Sequence, residues 1–166
     1  MIAGTRIQFA EAKDEERLRE ILLDCGMDIS GRIEDHLIIK EGDEIFAGGK
    51  VIEYQSNHFY LEILVVKGEK NGRGFGGYFL KTLVKDPGQF CKKLLSQSND
   101  DGSYLITTIS RGNASGFYQK YGFTECDFSQ MPSQYQEQCI DCPDKENCNP
   151  VPMIFSSASG DKNRSY

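Results

Sequence analysis

The stretch 71–80, NGRGFGGYFL, sets four glycines in seven positions and then turns apolar. A glycine run that opens a helix leaves consecutive backbone N–H groups unobstructed by side chains, and such groups at a helix N-terminus attract an anion. Gly72, Gly74 and Gly77 satisfy the G-x-G-x-x-G spacing, yet the surroundings do not suit a dinucleotide. KGEKNG separates Val66 from Arg73, a hairpin pattern stands upstream, and the following strand ends TTISRG without a carboxylate. No Gly-Lys-Ser/Thr closes the loop, as a nucleoside triphosphate site of the Walker type requires. The alternative to an anion site is a glycine-rich turn that merely ends a strand.

Two further features could do chemistry. Glu62 is the one carboxylate in HFYLEILVV; by strand alternation it shares a face with Tyr60, Leu64 and Val66. It is either an acid satisfied by a neighbouring backbone group or lysine, or a general base. Cys139, Cys142 and Cys148 follow a C-x2-C-x5-C spacing, with Cys126 upstream. Thiolates so spaced can share a tetrahedral zinc, completed by Cys126 or Asp141; the alternative is a set of reduced thiols that pack. Cys25 and Cys91 fall on apolar stripes and read as core. His36 and His58 flank strands, and nothing in the sequence marks either as catalytic.

The elements that must position these residues are legible from periodicity. TRIQFA reads as a strand, DEERLREILLDCG as a helix stopping at Gly26, and HLIIKEGDEIFAGGKVIEYQ as a hairpin turning at EGDE. HFYLEILVV is a strand covered on both faces. A helix starts in GFGGYFLKTLV, breaks at Pro87-Gly88, and resumes as a second helical piece. YLITTIS is a strand, NASGFYQKYGF a helix ending at Gly122, FTECDF the start of a strand, and PMIF a closing strand. The stretch 129–150 reads as a polar, cysteine-containing loop between the last two strands. Strands alternating with helices, with antiparallel pairs early and late, imply an α/β mixed sheet of six to seven strands with helices on both faces.

Bulk properties narrow the function. The chain has 166 residues, 39% hydrophobic and 27% charged, with a formal charge of −6. That is a globular composition of a size for one domain, here 1–156 with a tail at 157–166. The acidic balance argues against nucleic acid as a partner. No run is long enough for a bilayer span or a signal peptide, which implies no membrane partner and a cytoplasmic location, where cysteines stay reduced or metal-bound.

VKGEKNGRGFGG, with the strand before it, resembles the acetyl-CoA signature of the GNAT acetyltransferase superfamily, Gln/Arg-x-x-Gly-x-Gly/Ala. Asn71, Gly74 and Gly76 fall on it, with asparagine at its first position. ASGFYQKYGF resembles the second signature, with Ala114, Phe117, Tyr118, Lys120, Gly122 and Phe123 in register. Arg111 replaces that signature's asparagine, and Asn113 lies close by. CIDCPDKENC resembles the tail of short bacterial N-acetylglutamate synthases, which are members of this superfamily; their Lys-Val-Trp stretch is replaced by SQYQEQ.

The resemblance implies a GNAT-type domain that binds acetyl-CoA through Asn71, Gly72, Arg73, Gly74, Phe75, Gly76, Gly77 and Asn113. The pantetheine arm would pair with the backbone of Leu64, Val65 and Val66. It implies Glu62 as a base acting on the amine and Tyr118 as the acid for the departing thiolate. The implied activity is N-acetyl transfer to a small-molecule amine, an amino acid such as glutamate first. A protein or peptide amine is the alternative within the enzyme class. A catalytically silent acyl-CoA-binding or thiol and metal sensor is the alternative outside it. The expected assembly is a monomer or homodimer.

Overall fold

The computed structural model describes residues 6–68, 74–92, 103–140 and 149–157, apart from the side chains of Asn113 and residues 138–140. Seven strands form one sheet: β1 (Ile7–Phe9), β2 (Leu37–Glu41), β3 (Glu44–Gln55), β4 (His58–Val66), β5 (Leu105–Ser110), β6 (Thr124–Glu125) and β7 (Val151–Ser156). Their order is β1-β2-β3-β4-β5-β7-β6. The β4–β5 pair is parallel, from His58↔Leu105 to Tyr60↔Thr107. β1–β2, β2–β3, β5–β7 and β6–β7 are antiparallel. The helices are α1 (Glu15–Asp24), α2 (Phe75–Lys85), α3 (Ser115–Lys120) and α4 (Ser133–Ile140). The mixed sheet expected from the sequence is therefore present. The chain divides into two compact units, Met1–Val51 with Leu61–Lys92 and Ile52–Tyr60 with Lys93–Tyr166, so β3 and β4 each supply residues to both.

In the first unit, α1 turns Leu18, Ile21 and Leu22 inward and packs them with Ile38, Ile45, Ile63 and Val65. Full burial of each such side chain contributes about 1.5–3 kcal/mol. α2 buries Phe75, Phe79, Leu80, Leu83 and Val84, and it stops at Asp86 because the residue before a proline is pushed out of the helical region. Two adjacent glycines in β3 let both helices approach. A Cβ on Gly48 would sit 2.5 Å from the Leu18 side chain, while one on Gly49 would strike the Phe79 ring and lie 2.9 Å from the Ile63 carbonyl oxygen. Successive strand residues point to opposite faces, so α1 and α2 cover opposite faces of this part of the sheet.

The second unit departs from the sequence reading in two places. The stretch 129–150, read as a polar loop, contains α4. Its Tyr135 is buried and stacks on Tyr60 at 4.0 Å between ring centroids, beside Met131. The Pro132 carbonyl accepts the first-turn N–H groups of Tyr135 and Gln136. The helix thus carries an aromatic anchor with a distant partner, and its own weak periodicity does not announce it. β6 is shorter than FTECDF suggests, two residues long. After Pro87 a 3-10 turn spans Pro87–Phe90; the second helical piece expected beyond it falls largely at 93–102, outside the described residues.

Candidate active site

β4 leads to the glycine segment, and α2 follows. Asn71, Gly72 and Arg73 lie outside the described residues. Gly74 caps α2 with φ 86°, a left-handed backbone that glycine adopts without strain. Its carbonyl accepts the Tyr78 N–H at 2.9 Å, which starts the helix. Among the described residues, nothing stands within 4 Å of where a Cβ on Gly74 would be. The first turn of α2 carries no acidic residue, so the N–H groups of Phe75, Gly76 and Gly77 have no intrahelical acceptor and no side chain of their own turn competing for them. Phe75 offers only its backbone: its ring is buried and tilted against Phe46, 5.0 Å between centroids. This end of α2 is chemically suited to a phosphate group.

Glu62 sits inside a network in the first unit that links four segments. Ser30 Oγ donates to Glu62 Oε2 at 2.7 Å, and Lys50 Nζ stands 3.4 Å from Glu62 Oε1. Lys50 Nζ also donates to the Ser30 carbonyl at 2.6 Å. The Ser30 N–H donates to His36 Nε2 at 3.2 Å, and His36 Nδ1 lies 2.8 Å from the Arg32 carbonyl oxygen. Those two contacts together fix the neutral Nδ1–H tautomer. Burial pushes the His36 imidazole below its ordinary value, and Lys50 adds to the effect. The Glu62 carboxylate is thus paired with the Lys50 ammonium.

The same contacts correct the face assigned to Glu62. Gly48 and Lys50 share one face of β3; Gly48 looks toward Leu18 and Val65, and Lys50 reaches Glu62. Glu62 and Val65 therefore lie on the same face although three residues apart, so the alternation of β4 is interrupted between them, as by one extra residue. Val65, rather than Leu64 or Val66, continues the Glu62 side of the strand. Val65 is buried against α1, and Leu64 and Val66 are half-buried.

Tyr118 belongs to the second unit. It is buried, edge-on to Phe117 and Phe123 at 5.3 and 5.5 Å. Burial pushes its hydroxyl up to about 12, partly offset by a hydrogen bond with Thr108. The aromatic-packing role and the preserved hydroxyl coexist. Asn113 lies in the 3-10 turn Gly112–Ala114, and its side chain is outside the described residues.

The zinc expectation gains no support. Among the described residues no group of three His, Cys, Asp or Glu could hold a metal. Cys142, Cys148 and Asp141 lie outside the described residues, as does the side chain of Cys139. Cys126 is half-buried in an apolar cluster with Tyr60 and Met131, and burial pushes its thiol up, away from the thiolate a metal needs. Among the described residues, no helix is long and apolar enough to cross a membrane.

Sequence reasoning missed Ser30, His36 and Lys50. One signal was available for Lys50: it is the single cation within the apolar run of β3, at a height matching the single carboxylate of β4 across a two-residue turn. Ser30 and His36 carried none.

No protein-family model and no curated protein matches the sequence. Solved structures do match. N-acetylglutamate synthase from Neisseria gonorrhoeae, complexed with coenzyme A and N-acetyl-glutamate, has a TM-score of 0.70 at 11% identity over 94% of this chain. The chain spans only 36% of that protein's length. The ribosomal-protein-S18-alanine N-acetyltransferase from Escherichia coli has a TM-score of 0.61 at 13% identity, covering 92% of this chain and 93% of its own. A GNAT family acetyltransferase from Elizabethkingia anophelis with acetyl-CoA bound has a TM-score of 0.61 at 16% identity, covering 93% and 99%. At these identities the likeness is one of architecture, and it agrees with the strand order and the β4–glycine–α2 unit: the fold of this chain is that of the GNAT acetyltransferases.

Proposed function

We propose that the protein is an N-acetyltransferase that moves the acetyl group of acetyl-CoA to the primary amine of a small molecule. The observation carrying this reading is the glycine-capped N-terminus of α2, which follows β4 in the chain, within a GNAT-type sheet. Acetyl-CoA supplies an activated thioester; everything else is work for the chain. The N–H groups of Phe75, Gly76 and Gly77 receive the diphosphate, together with Asn71, Gly72 and Arg73. The backbone of Leu64, Val65 and Val66 takes the amide-rich arm as an added strand.

Glu62 accepts the proton released by the amine, directly or through a water, from a carboxylate whose orientation Ser30 and Lys50 fix. A lysine-type amine, near ~10.4, needs that help more than an α-amine near ~7.7–8.0. Tyr118, with its hydroxyl at about 12, stays protonated across the working range. Full proton transfer from it to a thiolate of ordinary basicity, ~8.5, would run uphill by several units. Its contribution is a donated hydrogen bond to the departing sulfur rather than a delivered proton. Asn113 is a further candidate contact for the cofactor.

An amino acid such as glutamate is the first acceptor to assay, given the synthase among the structural neighbours. A peptide amine is second, since the neighbour named for acting on a ribosomal protein matches this chain over nearly the full length of both. Calorimetry with acetyl-CoA, followed by thiol release with an amine panel, tests the reading. Heat on mixing and amine-dependent thiol release are expected. Binding without release under every amine would leave a silent acyl-CoA-binding protein, and absence of binding would remove the reading altogether. Within the mechanism, a Glu62→Gln variant with an unchanged rate from about pH 6 to 9 would end the base assignment.

A further inference from the structure

Three side chains converge on Ser30. Its hydroxyl donates to Glu62 Oε2 at 2.7 Å, its carbonyl oxygen accepts from Lys50 Nζ at 2.6 Å, and its N–H donates to His36 Nε2 at 3.2 Å. All four residues belong to the first unit. Ser30 lies between α1 and the 3-10 turn Ile33–Asp35, in neither helix nor strand, so side chains rather than a backbone ladder hold it. The next residue, Gly31, has φ 75°, and a Cβ there would stand 3.3 Å from Lys50 Nζ. The turn that presents Ser30 therefore keeps clear the space the ammonium fills.

His36 is the member of this group whose ordinary titration falls near neutrality. Its Nδ1–H is committed to the Arg32 carbonyl at 2.8 Å, which leaves Nε2 as the lone-pair acceptor for Ser30. A second proton would sit on Nε2 and point at the Ser30 N–H, so donor would meet donor and the N–H would lose its acceptor. The ring is fully buried and cannot turn to water. Ser30, half-buried and outside any element, is the side that gives way. Burial holds the ring neutral; Lys50 from β3 adds to that, and Glu62 from β4 works against it. From the end of β1 the Ala10 N–H meets the His36 carbonyl at 2.9 Å, a neutral contact. On the ring's own turn, the exposed Arg32 pairs with Glu34 at 3.6 Å, and Asp35 is half-buried.

We infer that His36 is a positioning residue for Glu62: as the neutral imidazole it holds the Ser30 backbone, and through it the Ser30 hydroxyl, on the carboxylate. Protonating the ring withdraws that hydroxyl and leaves the carboxylate to Lys50. The consequence for turnover, loss of an oriented base on the acid side, rests on the acetyl-transfer reading; the coupling of the three residues does not.

The test begins without substrate. NMR on the isotopically labelled full chain follows His36, the Ser30 amide and the Glu62 carboxyl through an acid titration. The Ser30 amide and the Glu62 carboxyl are expected to shift together with His36, at a midpoint below 6.5. In Ser30→Ala the Glu62 step at that midpoint should largely vanish while the ring still titrates. A Ser30 amide blind to His36, or a Glu62 step undiminished in Ser30→Ala, overturns the inference. The second arm uses acetyl-CoA at neutral pH with the amine of the panel that releases thiol fastest. His36→Leu, which fills the site without an acceptor, should lower kcat about tenfold, part of the ~10²–10⁴-fold that general-base help supplies, and leave the calorimetric Kd for acetyl-CoA unchanged. Ser30→Ala should do the same, and the double variant should be no worse than either single, because both break one connection. His36→Gln, whose side-chain carbonyl can accept the Ser30 N–H without titrating, should restore most of the rate and remove this step from the acid limb of kcat. Additive losses, or a His36→Leu protein with the parent's kcat, overturn the inference. Absence of thiol release with every amine would refute acetyl transfer alone, and the titration would still decide whether His36 governs the carboxylate.

Discussion

Replacing Lys50 with methionine isolates the pair that fixes Glu62. The change keeps most of the side chain's apolar volume and removes only the ammonium. Side-chain exposure is 10% for Lys50 and 15% for Glu62, so neither charge can turn to bulk water without moving its strand. Removing one partner of a fully buried pair costs about 3–5 kcal/mol, mostly because the other charge is stranded. Residual solvent contact places this case near the lower end. The Ser30 carbonyl also loses its charged donor, a bond of a kind that contributes about 1.5–3 kcal/mol, and the two losses overlap because one ammonium makes both contacts. The expected destabilisation is about 3 kcal/mol, or a drop in Tm of roughly 6–12 °C for a chain of this size. Urea unfolding at neutral pH measures it. The decisive comparison is the double variant Lys50→Met/Glu62→Leu, which strands no charge and should recover most of the loss. The exposed Arg19 pairs with Glu15 and Asp28 give the control, and Arg19→Ala should leave the transition where it was. A Lys50→Met protein as stable as the parent, or a double variant whose loss is the sum of the single losses, would show that the pair is not energetically coupled and that Glu62 is held by something else.

Gly49→Ala forces a methyl group against the Ile63 carbonyl and the Phe79 ring, and thermal unfolding should show a loss of about 1–3 kcal/mol. Gly116→Ala, within α3 where nothing among the described residues lies within 4 Å, should instead stabilise by about 0.4–1 kcal/mol. Tyr118, raised by burial from 10 to about 12, binds its proton more tightly folded than unfolded. It therefore contributes stability that is intact below pH 10 and lost as pH rises from 10 to 12; Tyr118→Phe should flatten that part of the stability curve measured in urea. His36, lowered by burial, behaves oppositely: its contribution is present above pH 6.5 and is lost as pH falls through its folded-state value, so His36→Gln should reduce the pH dependence of stability on the acid side.

Most of the architecture was readable because it rests on local signals. The period of α1, the turn at Gly42-Asp43, the apolar run of β4 and the glycines before α2 each act within a few residues, and the resulting mixed sheet has the expected kind of pairing. α4 was not readable, because its own periodicity is weak and its buried ring, Tyr135, meets Tyr60 across a long sequence separation. The face of Glu62 was misread for a related reason. Alternation is a local rule, and the interruption between Glu62 and Val65 shows only in their contacts with Lys50 and Gly48 of the neighbouring strand.

The sequence by itself determined the strand–glycine–helix unit and the chemistry it invites, since backbone N–H groups freed of side chains are a property of residue type and order. Only the tertiary structure decided what surrounds Glu62, because Ser30 and Lys50 reach it from two separate segments and His36 holds the Ser30 backbone. Charge pairing depends on distance in space, and a linear order of residues holds that information only after the chain has folded.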